Sequence, residues 1–143
     1  MAHPANSHSP DLPAKLRHSG LRPTRQRLAL ARLLFGRGHR HVTAEDLHGE
    51  ARAAGVRVSL ATVYNTLHQF TAAGLLRSVT VEGSRSYFDT NTRDHHHFYC
   101  QEDGRLVDIE GGAIRVAGLP SPPDGAAVER IDVIVRLKPK NSV

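Results

Sequence analysis

Residues 60–70 read LATVYNTLHQF, and the chain continues with TAAGLLRSVTV over residues 71–81. At 100° per residue, Val63, Leu67 and Phe70 fall on one face of the first segment, which predicts a helix buried along that face. Ser59 is placed to cap the start of this helix, and Gly74 is placed to end it. The segment is therefore predicted to be a helix with one face in the core of its domain.

A period of two residues replaces the helical period after Gly74. Residues 75–81 and 84–88 alternate between apolar and polar side chains, and Glu82-Gly83 between them is typical of a tight turn. The sequence therefore predicts a β-hairpin directly after the helix.

Three further helices are predicted upstream of residue 60. The first covers 11–18, the second begins after Pro23-Thr24 and ends at Gly36, and the third begins at a capping box in 43–46. Helices followed by a hairpin are the element order of a winged helix-turn-helix, which we assign to residues 11–91. Residues 1–10 are rich in Pro, Ser and His, and we expect a disordered N-terminal arm there.

Residues 92–143 form a second, smaller domain. Alternating residues predict strands at 97–100, 105–109 and 129–137, and three prolines exclude regular structure around 120–123. A piece of this size buries too little apolar surface to be stable alone, and a chain with one cysteine has no internal disulfide to compensate. We therefore expect pairing with a second copy, a bound metal, or both.

The composition excludes other classes of protein. The 143 residues are 39% hydrophobic, and the longest apolar runs are far shorter than the roughly 18 residues of a membrane-spanning helix. The N-terminus lacks the pattern of a secretion signal, and a single cysteine is typical of a reducing compartment. We expect a cytoplasmic protein with no membrane association.

Positive charge is concentrated in the first half of the chain. Residues 1–75 contain Lys15 and nine arginines against four acidic side chains, a net charge of +6, whereas residues 76–143 have a net charge of −1. This asymmetry indicates an anionic partner for the first half. Arginine predominates over lysine, which suits bidentate contacts to phosphate or guanine.

The outward face of the 60–70 helix is small and polar. Ala61, Thr62, Asn65 and Thr66 lie opposite the buried face, and Tyr64 flanks them. In a major groove an amide can bond adenine, and methyl groups or a tyrosine ring can contact thymine methyls. We interpret this face, with Ser59 at its start, as the part that reads double-stranded DNA. The predicted phosphate contacts are arginines, namely Arg22, Arg25, Arg27, Arg77 and Arg85.

Three consecutive histidines follow the predicted hairpin. If residues 94–97 are extended, His95 and His97 lie on one face of the strand, and Asp94 and His96 lie on the other. A pair at i and i+2 can chelate a metal ion, so we predict that His95 and His97 are ligands. Other segments must complete the coordination shell.

Four segments carry a family resemblance: GLRPTRQR (20–27), HVTAEDLH (41–48), LATVYNTLHQF (60–70) and DHHHFYC (94–100). Their order and spacing resemble the ferric uptake regulator family of bacterial repressors over about residues 12 to 110. The chain is most similar to the iron response regulator branch, in which HHH replaces the commoner HHDH. The resemblance implies an α+β fold, namely a winged helix followed by a small α/β dimerisation domain. It also implies a homodimer that binds AT-rich palindromic operators, with Tyr64 contacting a base and Arg22 at the minor groove.

The resemblance also implies a metal centre between the two domains. It adds His41, Glu82 and Asp108 to His95 and His97, as ligands of Fe²⁺, Mn²⁺ or Zn²⁺. Occupancy of this site would set the angle between the two DNA-binding domains of a dimer.

A second site is implied in reduced form. Asp94 and His96 match two of its ligands, but Arg115 stands where relatives keep an acidic ligand, and no histidine follows His97. We expect a second metal there or, because the iron response branch senses haem, a haem bound through His96 and a neighbouring histidine or through Cys100.

Three functions compete for these features. The first is a metal- or haem-responsive transcriptional regulator of iron homeostasis, with a peroxide- or zinc-responsive member of the same family as its variant. The second is a metalloenzyme, but no general base stands beside a nucleophile, so we expect no enzyme. The third is an architectural DNA-binding protein, which explains the charge and leaves the histidines unexplained. DNA affinity with and without metal distinguishes the three.

Overall fold

The computed structural model describes residues 11–82 and 85–141. Residues 1–10, for which a disordered arm is predicted, and Gly83 of the predicted turn lie outside this range. The chain divides into two compact units, with the boundary between Thr92 and Arg93. The predicted α+β fold class is confirmed, because the described residues combine four α-helices with two small sheets.

The helices are α1 (Leu12–His18), α2 (Arg25–Phe35), α3 (Ala44–Ala53) and α4 (Leu60–Ala72). The strands are β1 (His41–Val42), β2 (Arg77–Glu82), β3 (Arg85–Asp89), β4 (His95–Cys100), β5 (Arg105–Glu110) and β6 (Ile134–Leu137), with a short 3₁₀ helix at Gly111–Ala113. No helix in the described part of the chain is long and apolar enough to cross a membrane.

Side-chain caps fix where the helices begin. The Thr24 hydroxyl accepts a hydrogen bond from the Arg27 N–H at 3.2 Å, and the Ser59 hydroxyl accepts one from the Thr62 N–H at 3.1 Å. At α3, Thr43 and Asp46 form the predicted capping box. Each cap satisfies backbone donors that have no partner inside the helix, so the predicted helix starts are the observed ones.

The first unit has one apolar core that includes residues of all four helices. Val63, Leu67 and Phe70 of α4 have no solvent exposure, as the helical wheel predicts. The turn between α3 and α4 passes through Gly55 at φ 76°, a conformation that strongly favours glycine. Together α3 and α4 form the helix-turn-helix.

The wing of the first unit is a sheet in the order β1-β3-β2. β3 is antiparallel to both neighbours, with Asp89 opposite His41 on one side and opposite Arg77 on the other. β1 was not predicted from the sequence, because a strand of two residues has no detectable period. This strand attaches His41 to the sheet.

The second unit is a sheet in the order β5-β4-β6. β5 is antiparallel to the central strand β4, and β6 is parallel to it. Burial alternates along β4, with His95, His97 and Tyr99 buried and the residues between them half-buried. Within residues 93–141, the only helical segment is the 3₁₀ turn, and residues 114–133 contain no strand.

Candidate nucleic-acid interface and metal centre

The outward face of α4 presents three of the predicted base-reading residues to solvent. Ala61, Tyr64 and Asn65 are exposed, and Thr62 is half-buried. Thr66 is only 5% exposed, so it belongs to the buried face and not to the outward face predicted from the wheel. The face that remains is small, polar and without acidic side chains.

A cleft of about 430 Å³ lies beside this face, between α4 and the start of α2. Its lining includes Arg22, Arg27, Thr62 and Asn65, so the structure brings four of the predicted DNA-binding residues together. The Arg27 guanidinium donates to the Arg22 carbonyl at 2.9 Å and to the Gln69 amide oxygen at 3.2 Å. Arg27 therefore connects the two elements that line the cleft.

Tyr64 has a fixed hydroxyl direction. Its hydroxyl donates to the Glu45 carboxylate of α3 at 2.7 Å, and its ring stacks on that of His68 with 6.3 Å between centroids. The hydrogen bond to Glu45, with smaller contributions from desolvation and from the carboxylate charge, raises the pKa of Tyr64 above its ordinary value. The phenol is therefore protonated at neutral pH.

The remaining predicted DNA contacts differ in exposure. Arg25, Arg85 and Ser59 are exposed, and Arg25 lies in the first turn of α2. Arg77 is only 5% exposed and lies opposite the buried Asp89 in the β2–β3 register. The prediction that Arg77 contacts phosphate is therefore wrong, because a side chain buried in the sheet cannot reach a DNA backbone.

His95, His97 and Asp108 converge on one face of the second unit's sheet. The Nε2 atoms of His95 and His97 each lie 3.4 Å from Oδ1 of Asp108, and the two imidazole centroids are 4.5 Å apart. Both histidines are buried, while the Asp108 side chain is 40% exposed. Strand register explains why these side chains converge, because Asp108 on β5 pairs directly with His97 on β4.

The tautomer of His95 suits a metal ligand. Its Nδ1 lies 2.6 Å from the Arg93 carbonyl, which can only accept, so Nδ1 carries the proton. In the neutral imidazole Nε2 then bears a lone pair directed toward the Asp108 carboxylate. A cation between these two atoms satisfies both, and a carbonyl that holds the far ring nitrogen is a common support of metal-binding histidines. Two imidazoles and a carboxylate suit Zn²⁺, Fe²⁺ or Mn²⁺.

The first unit contains a pair of donors of its own. Nε2 of His41 lies 3.3 Å from Oδ2 of Asp89, whose side chain is 1% exposed. Glu82, the carboxylate expected beside His41, pairs in register with Arg85 at the far end of β3. Four residues of strand, roughly 13 Å, separate Arg85 from Asp89, so Glu82 does not join His41. The carboxylate beside His41 is therefore that of Asp89, whereas the sequence predicted Glu82.

Asp94 and His96 lie on a cleft of about 380 Å³ in the second unit, with Glu129 and Arg130 in its lining. The Val133 N–H donates to Nδ1 of His96 at 3.1 Å. Nε2 of the neutral His96 therefore carries the proton and has no lone pair for a metal or haem iron. The prediction that His96 is a ligand does not fit this tautomer. The His95 ring has its proton on Nδ1 and its lone pair on Nε2, whereas the His96 ring has them the other way round.

Asp89 was not among the donors predicted from the sequence. One signal was present, since Tyr87 and Asp89 occupy alternate positions and therefore the same face of β3. An acidic residue in phase with a buried aromatic residue needs a buried partner. The sequence does not identify this partner, because His41 lies beside Asp89 only through the pairing of β1 with β3.

A winged helix followed by a small sheet domain, with histidine and carboxylate donors at defined positions in each, defines a class of DNA-binding metalloregulators. The chain belongs to the ferric uptake regulator family, whose model matches residues 18–118. It is 37% identical to the peroxide-responsive repressor PerR of Staphylococcus aureus over 97 residues, which are 68% of this chain. The chain spans 65% of the length of that relative.

Two solved structures are similar over most of the chain. One is the ferric uptake regulator from Pseudomonas aeruginosa with manganese, with a TM-score of 0.70, 26% identity, and coverage of 91% of this chain and 98% of that one. The other, the Vibrio cholerae ferric uptake regulator, has a TM-score of 0.70 at 24% identity, with coverage of 90% and 99%, and supports the fold alone.

Proposed function

We propose that this protein is a dimeric transcriptional regulator whose binding to DNA is controlled by a divalent metal ion. The observation that carries the proposal is the convergence of His95 and His97 on Asp108, at 3.4 Å each, in a chain that also contains a winged helix. An architectural DNA-binding protein has no use for this cluster. The relatives described above are repressors and uptake regulators, which supports a regulator and not an enzyme.

His95, His97 and Asp108 would hold the ion, which would supply positive charge and fixed geometry to a group of donors that otherwise face one another. On the family resemblance alone, we extend the proposal to His41, whose ring contacts the Asp89 carboxylate within the first unit. Ligands on both sides of residue 92 would make the DNA-binding unit respond to the ion. The Arg93 carbonyl positions the His95 ring and binds no metal itself.

DNA binding follows from the charge and from the exposed face of α4. We propose that Ala61, Thr62, Tyr64 and Asn65 contact base edges in a major groove, with Ser59 at the helix start. Arg22, Arg25, Arg27 and Arg85 would contact phosphates. A two-fold dimer presents two such helices, and the operator would therefore be palindromic. We propose an AT-rich operator from the family resemblance and from the amide and methyl groups on the reading face.

The proposal also covers which signal the protein senses. We propose that the protein senses iron in the cytoplasm and belongs to the iron response branch, with Mn²⁺ and Zn²⁺ able to occupy the same donors. Zinc will bind most tightly of the three in vitro. The haem alternative has no support from the relatives described above, and the hydrogen bond from the Val133 N–H to Nδ1 of His96 argues against it.

The decisive experiment measures operator affinity at fixed salt, with and without Mn²⁺, for the wild type and for the double variant His95→Ala plus His97→Ala. We expect the wild type to depend on Mn²⁺ and the double variant to lose that dependence. His96→Ala is the matched control, since it alters the same strand on its other face. A double variant that responds to Mn²⁺ as the wild type does would refute the site.

A second experiment separates base reading from charge. Tyr64→Ala should weaken specific binding by about 1–3 kcal/mol and relax base preference. Arg25→Ala should weaken binding to all DNA sequences. It should also reduce the slope of log affinity against log salt concentration by about one unit, because one phosphate contact is lost. If Tyr64→Ala weakened binding to random and specific DNA equally, α4 would not be the reading helix.

A peroxide response is the second candidate, favoured by the 37% identity to a peroxide-responsive repressor. The test compares the Fe²⁺-loaded protein with the Mn²⁺-loaded protein before and after exposure to hydrogen peroxide. Loss of operator affinity in the Fe²⁺ form alone would favour the peroxide response. Unchanged affinity in both forms would favour metal as the signal.

A further inference from the structure

The exposed side of the helix-turn-helix carries one acidic residue that the fold does not explain. Residues 1–75 contain four acidic side chains, and three have structural roles: Asp11 caps α1, Asp46 closes the capping box, and Glu50 holds Arg40 in a bidentate ion pair. The fourth, Glu45, is exposed in the first turn of α3. In the part of the chain that the structure describes, its one side-chain hydrogen bond comes from Tyr64 at 2.7 Å.

An exposed carboxylate beside a DNA-reading helix is unfavourable in general, because it repels phosphate. Glu45 stands in a half of the chain whose net charge is +6. Its contact joins α3 to the 37% exposed Tyr64 on the reading face of α4. A role that acts through Tyr64 explains why the carboxylate stands at this position.

The chemistry of the contact determines what Tyr64 can recognise. A phenol has one proton to donate and two lone pairs with which to accept. A hydrogen bond from a hydroxyl to an ionised carboxylate is short and strong, so the single proton stays on the Glu45 side. The Tyr64 oxygen then offers only lone pairs to a base. In the major groove the donors that match are the exocyclic amino groups of adenine and cytosine, whereas guanine O6 and thymine O4 are acceptors.

We propose that Glu45 is a positioning residue that determines specificity, by committing the Tyr64 hydroxyl to accept a hydrogen bond from the amino group of adenine or cytosine. The inference rests on the proposed function, since it requires α4 to enter a major groove. The same contact raises the pKa of Tyr64, so the phenol does not ionise under the conditions of binding.

The experiment is selection from a randomised DNA duplex library with the full-length, Mn²⁺-loaded protein, for a set of variants in a double-mutant cycle. The variants are Glu45→Ala, Glu45→Gln, Tyr64→Phe and the double change Glu45→Ala with Tyr64→Phe. We expect the wild type to prefer adenine or cytosine at one position in each half-site. Tyr64→Phe should reduce that preference by about fivefold, the size of one net hydrogen bond.

Glu45→Ala should reduce the same preference by a similar factor and admit guanine or thymine, because the freed hydroxyl can then donate. Glu45→Gln keeps an acceptor for the Tyr64 proton and should retain most of the preference. In the Tyr64→Phe background, Glu45→Ala should cause no further change at that position. Asn65→Ala is the matched control, and it should alter base preference to the same extent with or without Glu45.

A spectroscopic measurement tests the contact without DNA. Titration of the tyrosine absorbance, with Tyr64→Phe used to assign the signal, should show the pKa of Tyr64 falling toward its ordinary value in Glu45→Ala. An unchanged titration would overturn the inference. Thermal unfolding of each variant controls for loss of the fold.

The outcomes also separate this inference from the proposed function. If Glu45→Ala changes base preference equally in the wild-type and Tyr64→Phe backgrounds, Glu45 acts directly on DNA and the inference is wrong, while sequence-specific binding stands. If the wild type enriches no sequence, the proposed function fails and the inference fails with it.

Discussion

The two units of this protein differ in how they fill their interiors. The first unit buries Leu, Val, Ala and Phe side chains from four helices and the wing in one core. The second unit buries Tyr99, Leu106 and Ile109, and it also buries the two histidines His95 and His97. Among residues 11–82 and 85–141, six of the seven large hydrophobic side chains that are exposed belong to the second unit: Val107, Val116, Leu119, Val128, Ile131 and Leu137.

The composition of the second interior makes the stability of that unit conditional on its partners. Apolar burial stabilises the first unit under all conditions, since it needs no ligand. The second unit places imidazoles at buried positions of its central strand and leaves apolar side chains exposed. Its stability should therefore depend on a metal ion and on a second copy, and this dependence is what a sensor requires.

The largest expected effect breaks the core of the first unit. Leu67→Ala removes a side chain with no solvent exposure and should cost about 2–5 kcal/mol in the free energy of unfolding. Chemical denaturation measures this change. Val107→Ala, at a position that is 40% exposed on β5 of the second unit, is the control and should cost a small fraction of that. Equal costs would mean that the buried Leu67 side chain contributes no more stability than an exposed one.

The second prediction concerns metal-dependent stability. At a free concentration one hundred times its dissociation constant, a metal that binds only the folded state stabilises it by about 2.7 kcal/mol. We expect hydrogen exchange to show this protection in β4 and β5 for the wild type and to show none for His95→Ala plus His97→Ala. The variant His96→Ala should keep it. Protection of β4 and β5 by metal in the double variant would place the ion elsewhere.

The third prediction concerns the second copy. β6 is an edge strand of its sheet, and Leu137 at its end is exposed. Leu137→Asp should weaken dimerisation roughly tenfold, or about 1.4 kcal/mol, because a charge would have to be buried in the interface. Sedimentation equilibrium measures the dissociation constant, and Thr80→Asp on the exposed side of β2 is the control. If both variants dimerise like the wild type, another surface forms the interface.

The smallest expected effect concerns a helix cap in the first unit. Thr43→Ala removes the capping box at the start of α3 and should lower the free energy of unfolding by about 1 kcal/mol. Because the cap is local, metal-dependent protection of β4 should not change. Urea denaturation and hydrogen exchange on the same variant test both statements. A loss of metal protection would show that the cap influences more than its own helix.

Most of the fold could be predicted from the sequence because its determinants are local. The caps at Thr24, Thr43 and Ser59 and the change of period after Gly74 act within a few residues, so each element can be located without knowledge of the others. The site was predicted less completely. His95 and His97 share a face because they are two residues apart on a strand, and their pairing with Asp108 was implied only by family resemblance.

Local pattern in the sequence was enough to predict the helix boundaries, the exposed positions Ala61, Tyr64 and Asn65 of α4, the excess of positive charge in the first half and the alternation of the histidines. The tertiary structure alone decided that Asp89 and not Glu82 stands beside His41, and that Arg77 is buried. It also decided which nitrogen each histidine offers, through the Arg93 carbonyl at His95 and the Val133 N–H at His96. The physical reason is that strand register and hydrogen-bond partners depend on how distant segments meet, whereas periodicity and capping depend on neighbours along the chain.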